Sequence, residues 1–110
     1  MAYDEALAAR VRDLLEGEPG LTEKSMFGGH AFLVDGHMAV SVSGQGGLLL
    51  RCDPEDTDLW VHEPGVSRFA MRGREMDGWL HVDVAVVGTR AELSRWVAVG
   101  LAYVRSLPPK

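Results

Sequence analysis

The chain has 110 residues, 46% hydrophobic and 25% charged, with no apolar run near the roughly 18 residues of a membrane span, which excludes disordered and membrane-spanning chains. A formal net charge of −5 works against sequence-independent binding to DNA or RNA, whose affinity comes from cations displacing phosphate counterions. The single cysteine, Cys52, can form no internal disulfide or four-ligand zinc site, and Tyr3, Asp4 and Glu5 stand where a secretory leader has its basic and apolar parts, so a cytoplasmic protein is expected.

In chain order, Leu7, Val11, Leu14 and Leu15 recur at helical spacing between Asp4, a ready N-cap, and Gly17, a stop, and predict a short amphipathic helix. From Leu21 to Val34 the apolar content suits a strand that Gly28 and Gly29 interrupt, either one kinked strand or two short ones. Asp35-Gly36 is a hairpin turn of type I′, because both central residues there must take positive φ. A two-residue loop pairs Leu33 with Met38, Phe32 with Ala39 and Ala31 with Val40. Alternation then puts Ala31, Leu33, Met38, Val40 and Val42 in the core and His30, Phe32, Val34, His37, Ala39 and Ser41 outside.

Gly44, Gly46 and Gly47 mark a further turn before the strand Leu48–Cys52, and Asp53-Pro54-Glu55-Asp56 has the N-cap, first-turn proline and acids of a helix start. That helix ends near His62, before Pro64-Gly65. Two strands, about Val66–Met71 and Trp79–Val84, form a second hairpin, with Phe69, Met71, Leu80, Val82 and Val84 inward and Arg68, Arg72, Trp79, His81 and Asp83 outward. Thr89-Arg90-Ala91-Glu92 is a capping box opening a final helix in which Leu93, Trp96, Val97, Leu101 and Val104 make the apolar stripe and Gly100 permits close approach to the sheet. The expectation is a single α+β domain over residues 1–110, a two-layer antiparallel sheet of five strands with helices on one face, in the order α-β-β-β-α-β-β-α.

Residues that carry chemistry do not assemble into a site. His30 and His37 share a face of the hairpin but stand roughly 13 Å apart along it at the strand rise; His62 and His81 fall on other elements, so no metal site is expected. Cys52 and His81 are a conceivable nucleophile and base, or the centre of a small ligand site, yet alternation points them to opposite faces. The glycine-rich segments lack the lysine and hydroxyl of a phosphate loop and the dinucleotide fingerprint. No catalytic, cofactor or metal residues are assigned, and a non-enzyme is expected.

Thr22-Glu23-Lys24-Ser25-Met26-Phe27-Gly28-Gly29, followed by Ala31-Phe32-Leu33-Val34-Asp35-Gly36 and Met38-Ala39-Val40, resembles the N-terminal domain of the TfoX/Sxy family. Met71-Arg72-Gly73-Arg74-Glu75-Met76, Gly78-Trp79, and Trp96-Val97 through Ser106-Leu107-Pro108 fit the same pattern over nearly the whole chain. The resemblance implies a secretion-chaperone-like sheet and a bacterial cytosolic protein related to positive regulators of competence genes, which act through other transcription factors. Full-length regulators of that family carry a second, C-terminal domain; the sequence stops at Lys110, and a stand-alone domain is expected.

The expected function is regulatory or protein-interacting, with a protein partner and a homodimer as expectations. The expected surface is Lys24, Met26, Phe27, Gly28, Gly29, Phe32, Arg51, Arg68, Arg72, Trp79 and His81. Direct nucleic-acid binding through the same arginines and aromatics is the alternative. A solvated, ion-paired face is the plain structural reading of those charges.

Overall fold

A computed structural model describes residues 3–26 and 28–109, the side chain of Met71 excepted. The expectations placed on Phe27 and on the Met71 side chain therefore lie outside the described residues.

Helix α1 (Glu5–Leu15) starts where Asp4 accepts a hydrogen bond from the Leu7 N–H at 3.1 Å, and buries Leu7, Ala8, Val11 and Leu15. Strands β1 (Leu21–Met26) and β2 (Gly29–Val34) pair antiparallel from Leu21↔Val34 to Met26↔Gly29. The glycine pair thus closes a hairpin, with Gly28 at φ +76°, and divides the segment into two strands. The sheet accordingly has six strands rather than the five expected.

Strand β3 (His37–Val42) follows the Asp35-Gly36 turn, whose φ values of 51° and 86° are those of the expected type I′ hairpin. Strand β4 (Leu48–Arg51) leads into a 3-10 turn (Pro54–Asp56) capped by Asp53 and then α2 (Thr57–Trp60). Strands β5 (Val66–Met71) and β6 (Arg74–Val82) form the second hairpin, and a 3-10 turn (Val84–Val87) precedes α3 (Arg90–Arg105), where Thr89 accepts from the Glu92 N–H. The antiparallel sheet runs β1-β2-β3-β4-β6-β5, with the three helices packed against it.

Strand register decides which side chains meet those helices. After Leu33↔Met38 the β2–β3 register slips, so Phe32 opposes Val40 and Ala31 opposes Ser41, with Ala39 as the extra residue. A one-residue slip turns every later side chain of a strand to the other face. Phe32 is therefore fully buried with Val40, Val42, Leu48, Leu50, Leu80 and Val82 beneath α1 and α3, contrary to its expected outward position. Val34 and Ala39 also pack on the helix side, with Val104, while Ala31, Leu33 and Met38 join the opposite face. His30 and His37 change sides too: His30 stacks on Tyr3 just ahead of α1, and His37 Nε2 donates to the Pro108 carbonyl at 2.7 Å beyond α3.

In β5 the unshifted pairs Val66↔Val82 and Arg68↔Leu80 put Val66 and Arg68 on the helix side and leave Phe69 for the other; the second slip follows Arg68, where the extra residues belong to β6, between Glu75 and Leu80. Phe69 turns to the open face, while Arg68 pairs with Asp58 beside α2 and with Asp77 at 2.9 Å. Both orientations reverse the expectation. Asp83 leaves the sheet and caps the 3-10 turn by accepting from the Ala85 N–H, which carries Val84 into solvent instead of the core.

Gly100 is where α3 comes nearest to the sheet. A Cβ there would stand 2.5 Å from the Ala39 carbonyl oxygen, so the helix rests on the bulged backbone of β3 through a position only hydrogen can fill. Close by, Trp96 is fully buried and meets Trp60 edge-on at 5.6 Å.

Candidate interaction face

The side of the sheet away from the helices carries its own apolar cluster. Ala31, Met38 and Leu49 are buried there, with Met26, Leu33, Phe69 and Trp79 packed around them. Pairing puts Lys24 on this side beside Ala31, and His81 beside Leu49. The β5–β6 hairpin brings Phe69, Ala70 and Arg72 to the same depression as Met26, Gly29, Ser41 and Leu49, a hollow of about 250 Å³. Across this side, the strand positions from β1 through β4 together with Trp79 and His81 include no carboxylate.

Charge is distributed unevenly between the two sides. Arg12, Arg68, Arg90, Arg95 and Arg105 each pair with a carboxylate, and Arg10 donates to the Val87 carbonyl. Among the described residues Lys24, Arg51, Arg72 and Arg74 form no ion pair. Glu23, on the helix side of β1, shows what pairing does: hydrogen bonds from Arg12 at 2.8 Å and His30 at 2.6 Å pull its carboxyl down to about 2.

Of the expected surface, Lys24, Met26, Gly29, Arg51, Arg72, Trp79 and His81 share the open side or its rim, with Gly28 in the adjoining turn. Phe32 and Arg68 do not belong to it, for the register reasons above. His81 is committed to structure, since its Nε2 donates to the Gly46 carbonyl at 2.8 Å. Residue-by-residue alternation missed Phe69 and Met38 as open-side residues. An aromatic or large apolar residue one step out of phase with its strand is the only signal that could have revealed them.

Cys52 lies in the core on the helix side, 3.9 Å from the Thr57 hydroxyl, and burial pushes its thiol pKa up. His81 faces the other way, so the two form no nucleophile–base pair and share no pocket, which removes the ligand or catalytic site centred on them. A groove of about 450 Å³ beside Cys52 runs between α2 and α3, walled by Trp60, Arg95, Val99 and Tyr103. Among the described residues no three of His, Cys, Asp and Glu converge as metal ligands, and no helix is long and apolar enough to cross a membrane.

Residues 13–103 match the TfoX N-terminal domain, most of the described chain. The chain belongs to the TfoX N-terminal domain family. That family is associated with competence and transcription regulators. In this TfoX N-terminal domain, Met26 and the residues from Gly28 to Gly36 form the end of the β1–β2 hairpin and the type I′ turn that frame the open side. Comparisons with curated proteins and with solved structures found no match.

Proposed function

We propose that this TfoX N-terminal domain is a non-catalytic, cytoplasmic regulatory module that binds another protein through the open side of its sheet. The observation that carries the reading is the coincidence of two features on one surface: an apolar cluster no helix covers, and cations left without carboxylate partners although the chain as a whole is acidic. Half-buried apolar side chains, here Met26, Leu33, Phe69 and Trp79, rimmed by uncompensated charge suit a transient interface, since further burial supplies affinity and charge supplies selectivity. A buried thiol with no disulfide partner suits a reducing compartment.

The test is charge reversal with a helix-side control. Lys24→Glu and Arg72→Glu should abolish partner capture from nuclease-treated extract of the native host, while Arg90→Glu on the helix side leaves it intact. Equal loss from Arg90→Glu, or capture indifferent to all three, would refute the reading. Light scattering on the purified protein shows whether a second copy occupies the surface.

A nucleic-acid reading draws support from one feature, the Arg51 guanidinium 5.0 Å from the Trp79 ring centroid, because arginine beside an aromatic face suits stacked bases. The net charge of −5 opposes it. Anisotropy with a single-stranded oligonucleotide at low salt decides the matter.

A further inference from the structure

Arg51 closes β4 where the open side meets the last turns of α3, and it is held between two rings. Its guanidinium carbon lies 5.0 Å from the Trp79 centroid and 5.1 Å from that of Tyr103. Nε is buried with no hydrogen-bond partner, and it is the only nitrogen of this side chain in that state. The Nη pair, which has no partner among the described residues either, is therefore the edge that solvent reaches. Five other arginines, Arg12, Arg68, Arg90, Arg95 and Arg105, answer their charge with a carboxylate at hand, as Arg68 does with Asp77 and Arg95 with Glu63.

Enclosing a guanidinium without an acceptor is unfavourable, and the two aromatic faces offset only part of that cost. The arrangement does achieve something for binding. A fork already oriented and immobilised loses little freedom when it receives an anion, and its planar Nη edge matches the two oxygens of a carboxylate. The surroundings favour a carboxylate on a partly apolar segment, because Leu33 and the ring of Trp79 on the adjoining cluster are half-buried and offer apolar contact beside the fork.

We infer that Arg51 is an anchoring site for a carboxylate side chain on an acidic, partly apolar segment of the partner protein, which lies across the open side with its apolar residues on Leu33 and Trp79. This rests on the proposed interaction function and names the chemistry of its partner. Two consequences separate an anchor from a structural residue. Arg51→Met removes an enclosed charge without an acceptor, so it should leave the melting temperature unchanged or raised while removing binding. Arg51→Lys keeps the charge but loses the fork, and should bind at least tenfold more weakly at an unchanged melting temperature.

The probe is a short fluorescein-labelled peptide of glutamate, leucine and phenylalanine, read by anisotropy against the same peptide with glutamine for glutamate and against an oligothymidylate. The glutamate peptide should bind wild type, lose at least tenfold in both Arg51 variants, and lose comparably on glutamine replacement. The Arg51 Nε–H resonance should move on titration. If the peptide binds and Lys24→Ala or Arg72→Ala weakens it while the Arg51 variants do not, the anchor is wrong and the open-side interface survives. Failure of the peptide to bind, or an Arg51-dependent preference for the oligothymidylate, overturns the carboxylate assignment; indifference of the peptide to every open-side substitution removes the interface as well.

Discussion

Replacing Gly100 by alanine sets helix propensity against packing in a way that the structure resolves numerically. Alanine in a helix interior gains about 1 kcal/mol over glycine. The added Cβ, however, would sit 2.5 Å from the Ala39 carbonyl oxygen and 3.2 Å from its carbon. An ordinary carbon–oxygen contact is about 3.3 Å, so α3 and the β3 bulge must separate by roughly 0.8 Å. Both sides of the contact are backbone, with no side chain able to rotate away, and Leu50 Cβ at 3.7 Å closes a third direction. Overpacking costs about 1–3 kcal/mol, and the upper end applies to a backbone clash, leaving Gly100→Ala destabilised by about 2 kcal/mol after the propensity gain. For a chain of this size that lowers Tm by about 8 °C, and urea melts followed by tryptophan fluorescence would give the matching fall in midpoint. Ala98→Gly and Ala102→Gly, at exposed positions on the same helix, calibrate propensity alone at about 1 kcal/mol each. A Gly100→Ala protein as stable as wild type or more so would refute the close approach of α3 to the bulge.

Three further outcomes follow from the hydrogen bonds and titrations. Thr57→Val should cost about 1–3 kcal/mol, because the Thr57 hydroxyl accepts from the buried Gly78 N–H at 2.7 Å and donates to the Pro54 carbonyl at 2.8 Å; Thr57→Ser should recover most of it in the same urea melts. Glu23→Gln should lower stability by about 1 kcal/mol at neutral pH, a figure discounted for the surface position of the pair. Since the folded Glu23 carboxyl is depressed to about 2, its contribution is fully present above the unfolded value and fades as pH falls through about 2, so wild-type and Glu23→Gln melts should converge at the acid end. Cys52, buried and with its thiol pKa raised, should react with a disulfide reagent only as fast as the protein opens, and labelling at the rate of free thiol in native buffer would contradict its placement.

Where local chemistry decides structure, the residues themselves were sufficient. Asp35-Gly36 makes its turn because a type I′ geometry leaves few alternatives, and Asp4, Asp53 and Thr89 each cap the helical segment that follows with a side-chain oxygen. Gly100 was legible as a close-approach position from its interruption of the α3 stripe. The candidate site was only partly legible. Trp79 and His81 face outward as alternation requires, and Arg51 stands beside Trp79. Phe32, Arg68 and Phe69 turned the other way: Phe32 because of the residue inserted at Ala39, Arg68 and Phe69 because the pairing of Val66 with Val82 sets the phase of β5, and alternation along one strand sees neither.

The amino-acid sequence by itself determined the three helices, their order among the strands and two of the hairpins, since caps, turns and apolar period act over a few neighbouring residues; that Leu21–Val34 makes two paired strands was decided by the fold. Tertiary structure decided which face each strand shows. The bulge at Ala39 lies against α3 across more than half the chain, and the pairing of Val66 with Val82 sets the side on which Arg68 meets Asp58 and Asp77. Which cations are left uncompensated was settled at the same level, because an ion pair between Arg12 and Glu23 or between Arg105 and Glu18 exists only once distant elements have docked. Charge counted along the chain is a sum; charge on a surface depends on which groups the fold has already brought together.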